Sequence, residues 1–282
     1  MAIVTFVNLN KKEKGQSLSV AAIATCLSIA HNYRTLIMST DFNDNTLEGC
    51  FFDVNKNTIA NTVFGSKSEE SITQSGIDGL QAVFASNRAT VDVIKNFTRP
   101  ILNQRLDLLQ SPKTKDYKDF LKTTTYYSQI CEFANKAYDY LLVDLSKDTP
   151  EEEKQKILNQ SEIVVVSLSQ NMKTIKQFAE VKAKDNFYNK KNVILLIEKY
   201  DKGSKYLAKN IGRYLREKSI PFVVPYNILF ADKCSEGKII DYILSIEKLD
   251  FNDGKDGYFY NEIKNDTESI DYLRKAFETG AM

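Results

Sequence analysis

The sequence holds one histidine, His31, and four cysteines, Cys26, Cys50, Cys131 and Cys234, none of them in a C-x-x-C pair. That scarcity excludes a zinc site of the usual spacing and a catalytic triad that turns on histidine. Scattered thiols of this kind fit a reduced, cytoplasmic protein. Long apolar runs are also missing: none approaches the ~18 to 20 residues that a membrane-crossing helix needs, and the apolar start lacks the basic leader of a signal peptide. Nor is there an excess of charge of one sign. Lys and Arg number 38 against 37 Asp and Glu, so net charge gives no reason to expect nucleic acid, and any such site has to be local.

What is there is an ordinary globular composition, 43% hydrophobic and 27% charged in 282 residues, enough chain for one large α/β domain or two small ones. Ala2 to Val7 reads as a buried strand rich in β-branched residues. A polar stretch, Asn8 to Gln16, follows with a single glycine, Gly15. From Ser17 or Leu18 a helix begins, with Val20, Ala21, Ile23, Ala24, Leu27 and Ile29 apolar all round, as suits a helix buried against a sheet. Thr35 to Thr40 is the next strand. A polar, glycine-containing loop between a buried strand and a helix is where a phosphate can meet unpaired backbone N–H groups. The same stretch also reads as a plain solvated βα connection.

Further along, Ile72 to Ile77 and Leu80 to Ala85 read as short apolar elements, Val91 to Leu102 as a helix ended by Arg99-Pro100, and Leu106 to Leu109 as a strand. Tyr117 to Ala137 reads as one helix with a wide apolar face. It leads into Tyr138-Asp139-Tyr140-Leu141-Leu142-Val143-Asp144, an apolar run closed by an acid. A proline and three glutamates at 150–153 open another helix. Then come a strand at Ile163 to Leu168, a helix at Asn171 to Lys182 and a strand at Asn192 to Glu198. Strand and helix alternating at this spacing predict a doubly wound, mostly parallel sheet with helices on both faces. In Lys205 to Lys218 the spacing puts Lys205, Lys209, Arg213 and Arg216 on one helical face, either a solvated surface or a surface that tracks phosphates.

Set in order, these segments resemble the ParA/MinD family of P-loop ATPases. The deviant Walker A pattern K-G-G-x-G-K-[ST] falls on Lys11, Lys12, Glu13, Lys14, Gly15, Gln16 and Ser17. Lys11 matches the signature lysine that crosses to a partner's nucleotide, Gly15 the last loop glycine, and Ser17 the Mg²⁺-binding hydroxyl. Two loop glycines have become Lys12 and Glu13, and the lysine that grips the β- and γ-phosphates has become Gln16, which donates a hydrogen bond without charge. Asp41 matches the second acid of D-x-D-P-Q, with Ser39 where the first would stand. Asp144 matches the Walker B aspartate, although Leu145-Ser146-Lys147 replaces T-P-P. Leu80 to Ser86 resembles the strand after the first crossover helix. Pro225, Asn227, Ala231 and Gly237 match the segment that packs beside adenine.

The resemblance covers 1–246 and implies a P-loop domain there, with 247–282 an acidic extension. That tail is expected to be helical from about Thr267 to Phe277 and to dock on the sheet or on a partner; its acids suit a membrane surface poorly. The resemblance implies a nucleotide site of Lys11, Lys14, Gly15, Gln16, Ser17, Leu18, Pro225 and Asn227. Mg²⁺ would be held by Ser17, Asp41 and Asp144, and Lys11 and Asp41 would be catalytic. Given the losses, ATP or ADP with Mg²⁺ is expected to bind weakly or not at all. The implied function is a nucleotide-switch or pseudo-ATPase scaffold in partition, conjugation or positioning of an assembly, working as a homodimer with a partner protein. Slow ATPase action, a nucleotide-independent adaptor and non-specific DNA binding stay open.

Overall fold

The computed structural model describes residues 2–8, 15–31, 33–53, 76–86, 89–114, 116–190 and 192–280. Eight strands form one sheet: β1 (Ala2–Asn8), β2 (Thr35–Ser39), β3 (Arg99–Leu102), β4 (Leu106–Leu109), β5 (Tyr140–Leu145), β6 (Ile163–Ser169), β7 (Val193–Tyr200) and β8 (Phe222–Pro225). Their spatial order is β3-β4-β2-β5-β1-β6-β7-β8. Every neighbouring pair is parallel except β3 with β4. The doubly wound, mostly parallel sheet expected from the alternation is the observed one.

Helices cover both faces. On one side lie α1 (Gly15–Ala30), α2 (Thr46–Phe51), α9 (Ile228–Ser235), α10 (Ile239–Ile246) and α11 (Gly254–Glu278). On the other lie α3 (Gly76–Ala85), α4 (Tyr117–Thr124), α5 (Tyr127–Ala137), α6 (Glu151–Gln160), α7 (Met172–Lys184) and α8 (Ala208–Tyr214). The strands feed the two cores alternately: Val4, Leu142 and Val165 face the first, Ile3, Leu141 and Val164 the second. Burial on both faces is why these strands read as continuous apolar runs.

Several segments differ from the sequence expectation for local reasons. Leu80 to Ser86 is no strand but the end of helix α3 and the turn after it: Ile77, Leu80 and Phe84 are buried at helical spacing. Of the expected element at 72–77, only Gly76 and Ile77 fall among the described residues. Val91 to Leu102 is a 3-10 turn at Val91–Asn96 followed by β3. Pro100 is tolerated because β3 lies at the sheet's edge, where a missing N–H costs little. The long helix expected at 117–137 breaks after Thr124. Thr123, Thr124 and Thr125 each turn a hydroxyl back onto a carbonyl three or four residues earlier, competing with helix continuation.

The tail is a single helix, α11, that starts at Gly254, well before the expected point. It packs against α1 and β8, burying Phe259, Tyr260, Ile263 and Ile270 in the first core. Asp266 accepts the Val223 N–H of β8 at 3.1 Å. At the other end Arg274 donates to Tyr140 Oη at 2.8 Å and to Tyr33 Oη at 3.0 Å, while Tyr140 donates to Asp271 at 2.7 Å. No helix among the described residues is long and apolar enough to cross a membrane.

Candidate functional site

The carboxyl ends of β1, β2 and β5 meet the N-terminal end of α1. In the sheet register Asp144 of β5 lies between Phe6 of β1 and Ser39 of β2. The loop after β2 carries Asp41 and Asp44, and the loop after β5 carries Ser146 and Asp148. A cavity of about 200 Å³ opens among them, lined also by Asn8, Gln16 and Ser17. Crevices at the carboxyl ends of parallel strands are the customary ligand position in such sheets.

Gln16, in the first turn of α1, is buried. Its Nε2 donates to Asp144 Oδ1 at 2.6 Å and approaches Phe6 O at 3.2 Å and Leu145 O at 3.4 Å. One amide thereby ties α1 to both β1 and β5. Gln16 Oε1 and Asp144 Oδ2 are buried without a partner of hydrogen-bonding geometry, an arrangement that normally calls for water or an ion. Burial raises the Asp144 carboxyl above its ordinary range, against the stabilising hydrogen bonds of Ser17 and Gln16, and the charge of Asp44 adds to the rise. Asp41 is pushed up to about 7, first by burial and then by the negative charge of Asp144, with Ser146 opposing and Asp44 and Asp148 adding.

Thr40, which the sequence did not single out, is the joint between the two acid-bearing loops. Fully buried, its Oγ1 accepts from Ser146 N at 2.7 Å and lies 3.2 Å from Asp144 O, while its N–H donates to that carbonyl at 3.1 Å. Phe42, beside the cavity, packs on Phe120 and Tyr117 with ring centroids 5.0 and 5.7 Å away. Glu198, the acid closing an apolar run in β7, lies beside Gly15 of α1; an acid ending such a run was the available signal.

The structure therefore brings Gln16, Ser17, Asp41 and Asp144 around one cavity, with Gly15 at the head of α1. Leu18 packs against the first core. Lys11 and Lys14 lie outside the described residues. Pro225 and Asn227 stand at the end of β8, three strands from β1. Asn227 is the N-cap of α9, accepting from Phe230 N at 2.9 Å and donating to Asp256 at 2.7 Å. The basic face is shorter than the spacing implied. α8 covers only Ala208–Tyr214, so Lys209 and Arg213 share it while Lys205 precedes it. Arg216 takes the left-handed conformation (φ 57°) of a helix C-terminal residue, with Glu217 N donating to Gly212 O at 2.9 Å. All four cations are exposed.

Among the described residues no three carboxylate, histidine or cysteine side chains stand together as a metal cluster. The carboxylates and hydroxyls at the cavity do offer oxygen donors, and a hydrated Mg²⁺ shared with phosphates suits so few protein ligands. The unsatisfied Asp144 Oδ2 is the kind of group such an ion's waters would serve. By residue types and burial, Ser17, Asp41 and Asp144 fit that ion.

Fold and cavity together define a doubly wound α/β protein with a crevice at the carboxyl ends of its strands. Its fold is that of the ParA/MinD ATPases. A ParA family ATPase from Chlorobium tepidum superposes with a TM-score of 0.68 at 16% identity, over 94% of this chain and 98% of that one. The septum site-determining protein MinD complexed with Mg-ADP, from Pyrococcus horikoshii, gives 0.64 at 11% identity over 97% of each chain. A putative plasmid partition protein from Borrelia burgdorferi bound to AMPPNP gives 0.59 at 16% identity over 97% and 99%. No protein-family model matches the sequence, and comparison with curated proteins gives no match.

Proposed function

We propose that this chain is a nucleotide-switch protein of ParA/MinD type whose grip on phosphate is weakened, acting as a dimerising cytoplasmic scaffold in partition, conjugation or positioning of an assembly. The observation that carries this reading is the Gln16 amide held by Asp144 and two backbone carbonyls. A side chain so engaged supplies the framework with hydrogen bonds and the phosphates with no positive charge. The similar proteins solved with Mg-ADP and AMPPNP support nucleotide as the ligand class. When bound, Mg²⁺ would neutralise phosphate charge beside Ser17, Asp41 and Asp144. Gly15, Ser17 and Gln16 would face the nucleotide together with Lys14, and Lys11 would reach the second subunit. Pro225 and Asn227 would flank the base. Cargo recognition would fall to a partner protein, and exposed Lys209 and Arg213, flanked by Lys205 and Arg216, would give a salt-sensitive hold on DNA.

One observation favours a second reading, slow ATP hydrolysis. Asp41 lines the cavity with Gln16, Ser17 and Asp144, where a carboxylate can orient and deprotonate a water. Calorimetry with Mg·ATP and Mg·ADP, paired with a turnover assay, separates the two. Binding heat with turnover no greater than background supports the switch reading. Turnover abolished by Asp41→Ala would establish the ATPase instead, and no binding heat with either nucleotide would leave an adaptor.

A further inference from the structure

At the amino ends of the strands, away from the cavity that holds Asp41 and Asp144, the sheet register brings two arginines together. Thr35 of β2 pairs with Leu106 of β4 on one side and with Tyr140 of β5 on the other. The residues just before these, Arg105, Arg34 and Asp139, therefore stand side by side. Backbone hydrogen bonds keep them there: Thr35 N donates to Arg105 O at 2.7 Å and Asp139 N to Arg34 O at 2.8 Å. A cavity of about 740 Å³ opens over them, lined also by Lys95, Asp107 and Tyr138, a volume that suits a small organic ligand. Its two carboxylates are engaged by the framework. Asp139 Oδ2 accepts the Arg34 N–H at 2.8 Å, and Asp107 Oδ2 accepts from Tyr138 Oη, on a buried side chain, at 2.7 Å. The cations are not so engaged. Arg34 Nε stands 4.0 Å from Asp139 and Lys95 Nζ 3.9 Å from exposed Asp92, both beyond hydrogen-bond length. The Arg105 guanidinium has no hydrogen bond or ion pair to any described residue.

We propose that this cleft is a second ligand site, taking a small molecule whose phosphate group is held between Arg34 and Arg105. Two guanidiniums fixed on neighbouring strands repel one another unless an anion stands between them. Their planar forks match phosphate oxygens in bidentate fashion, with donors that the framework leaves unused. Lys95 adds a third positive charge, so the lining holds three cations against two acids whose oxygens already accept hydrogen bonds. The cavity is much larger than one phosphate group, and the uncharged body of the ligand would fill the remainder. None of these residues belongs to the cavity of Asp41 and Asp144, so the inference stands apart from the nucleotide-switch reading.

Calorimetric titration of the full chain in magnesium-free buffer with EDTA, using ribose 5-phosphate and inorganic pyrophosphate as probes, tests this in the wild type, Arg34→Gln, Arg105→Gln and Arg105→Lys. Both arginines are exposed, so the substitutions leave the core untouched, and urea unfolding checks that each variant is folded. The expected result is saturable one-to-one binding of at least one probe by the wild type. Its Kd should rise at least about tenfold in each glutamine variant. Arg105→Lys keeps the charge and loses the fork, and should recover only part of the affinity. No saturable binding of either probe by the wild type overturns the proposal. Binding that both glutamine variants retain at wild-type strength also overturns it, because the anion would then lie elsewhere on the molecule.

Discussion

Replacing Asp41 by asparagine should make the protein more stable at neutral pH and leave it little changed in acid. Asp41 is held at about 7 against an ordinary value of 3.8, chiefly by burial and then by Asp144. Between those values the folded chain binds more protons at this position than the unfolded chain does. Stability therefore falls as pH rises from about 4 to about 7 and levels off above it. At about 1.4 kcal/mol for each tenfold change in proton affinity, the full penalty for an isolated group would be on the order of 4 kcal/mol. Asp144 carries part of the same repulsion and Asp41 keeps some contact with solvent, so about 2 kcal/mol is the expected share. Urea unfolding of wild type and Asp41→Asn at pH 5 and pH 8 reads this directly. Because part of the penalty is already present at pH 5, the variant should gain about 1 kcal/mol over wild type between the two conditions. An equal stability difference at both pH values would refute the placement of Asp41 in a buried acidic cavity.

Gln16→Ala should destabilise the fold by about 2 to 4 kcal/mol, since it leaves a buried carboxylate oxygen and two carbonyls without their donor; a loss below about 0.5 kcal/mol in urea unfolding would show that the amide is not what ties α1 to β5. Charge reversal of exposed Lys209 and Arg213 to glutamate should alter stability by no more than about 0.5 kcal/mol while abolishing a salt-sensitive DNA gel shift. An unchanged shift would dispose of the DNA surface.

The sheet was legible in the sequence because its strands are buried on both faces, and a run such as Ile163 to Leu168 has few alternatives. The order of Gln16, Asp41 and Asp144 along the chain was legible for a related reason: each follows or closes such a strand, and parallel strands bring those ends together. Features settled by competition between nearby groups were harder to read. The three threonine hydroxyls that interrupt 117–137 are ordinary helix residues until their back-bonding is seen. The pattern of α3 offered apolar residues at both strand and helix spacing. Arg216 occupies a backbone position that glycine usually marks, so nothing in composition signalled the end of α8. Glu198 could be placed only through its nearness to Gly15, some 180 residues earlier in the chain.

The two borders of the sheet bear on how copies of this molecule could meet. At one border β3 runs against the grain of its neighbours and carries Pro100, which has no N–H to offer a newcomer. At the other, Pro221 precedes β8, Pro225 ends it, and the Val223 amide is already taken by Asp266. Lateral recruitment of another strand is thus discouraged on both flanks. Copies of this molecule would then meet through loops and helices rather than through either border strand.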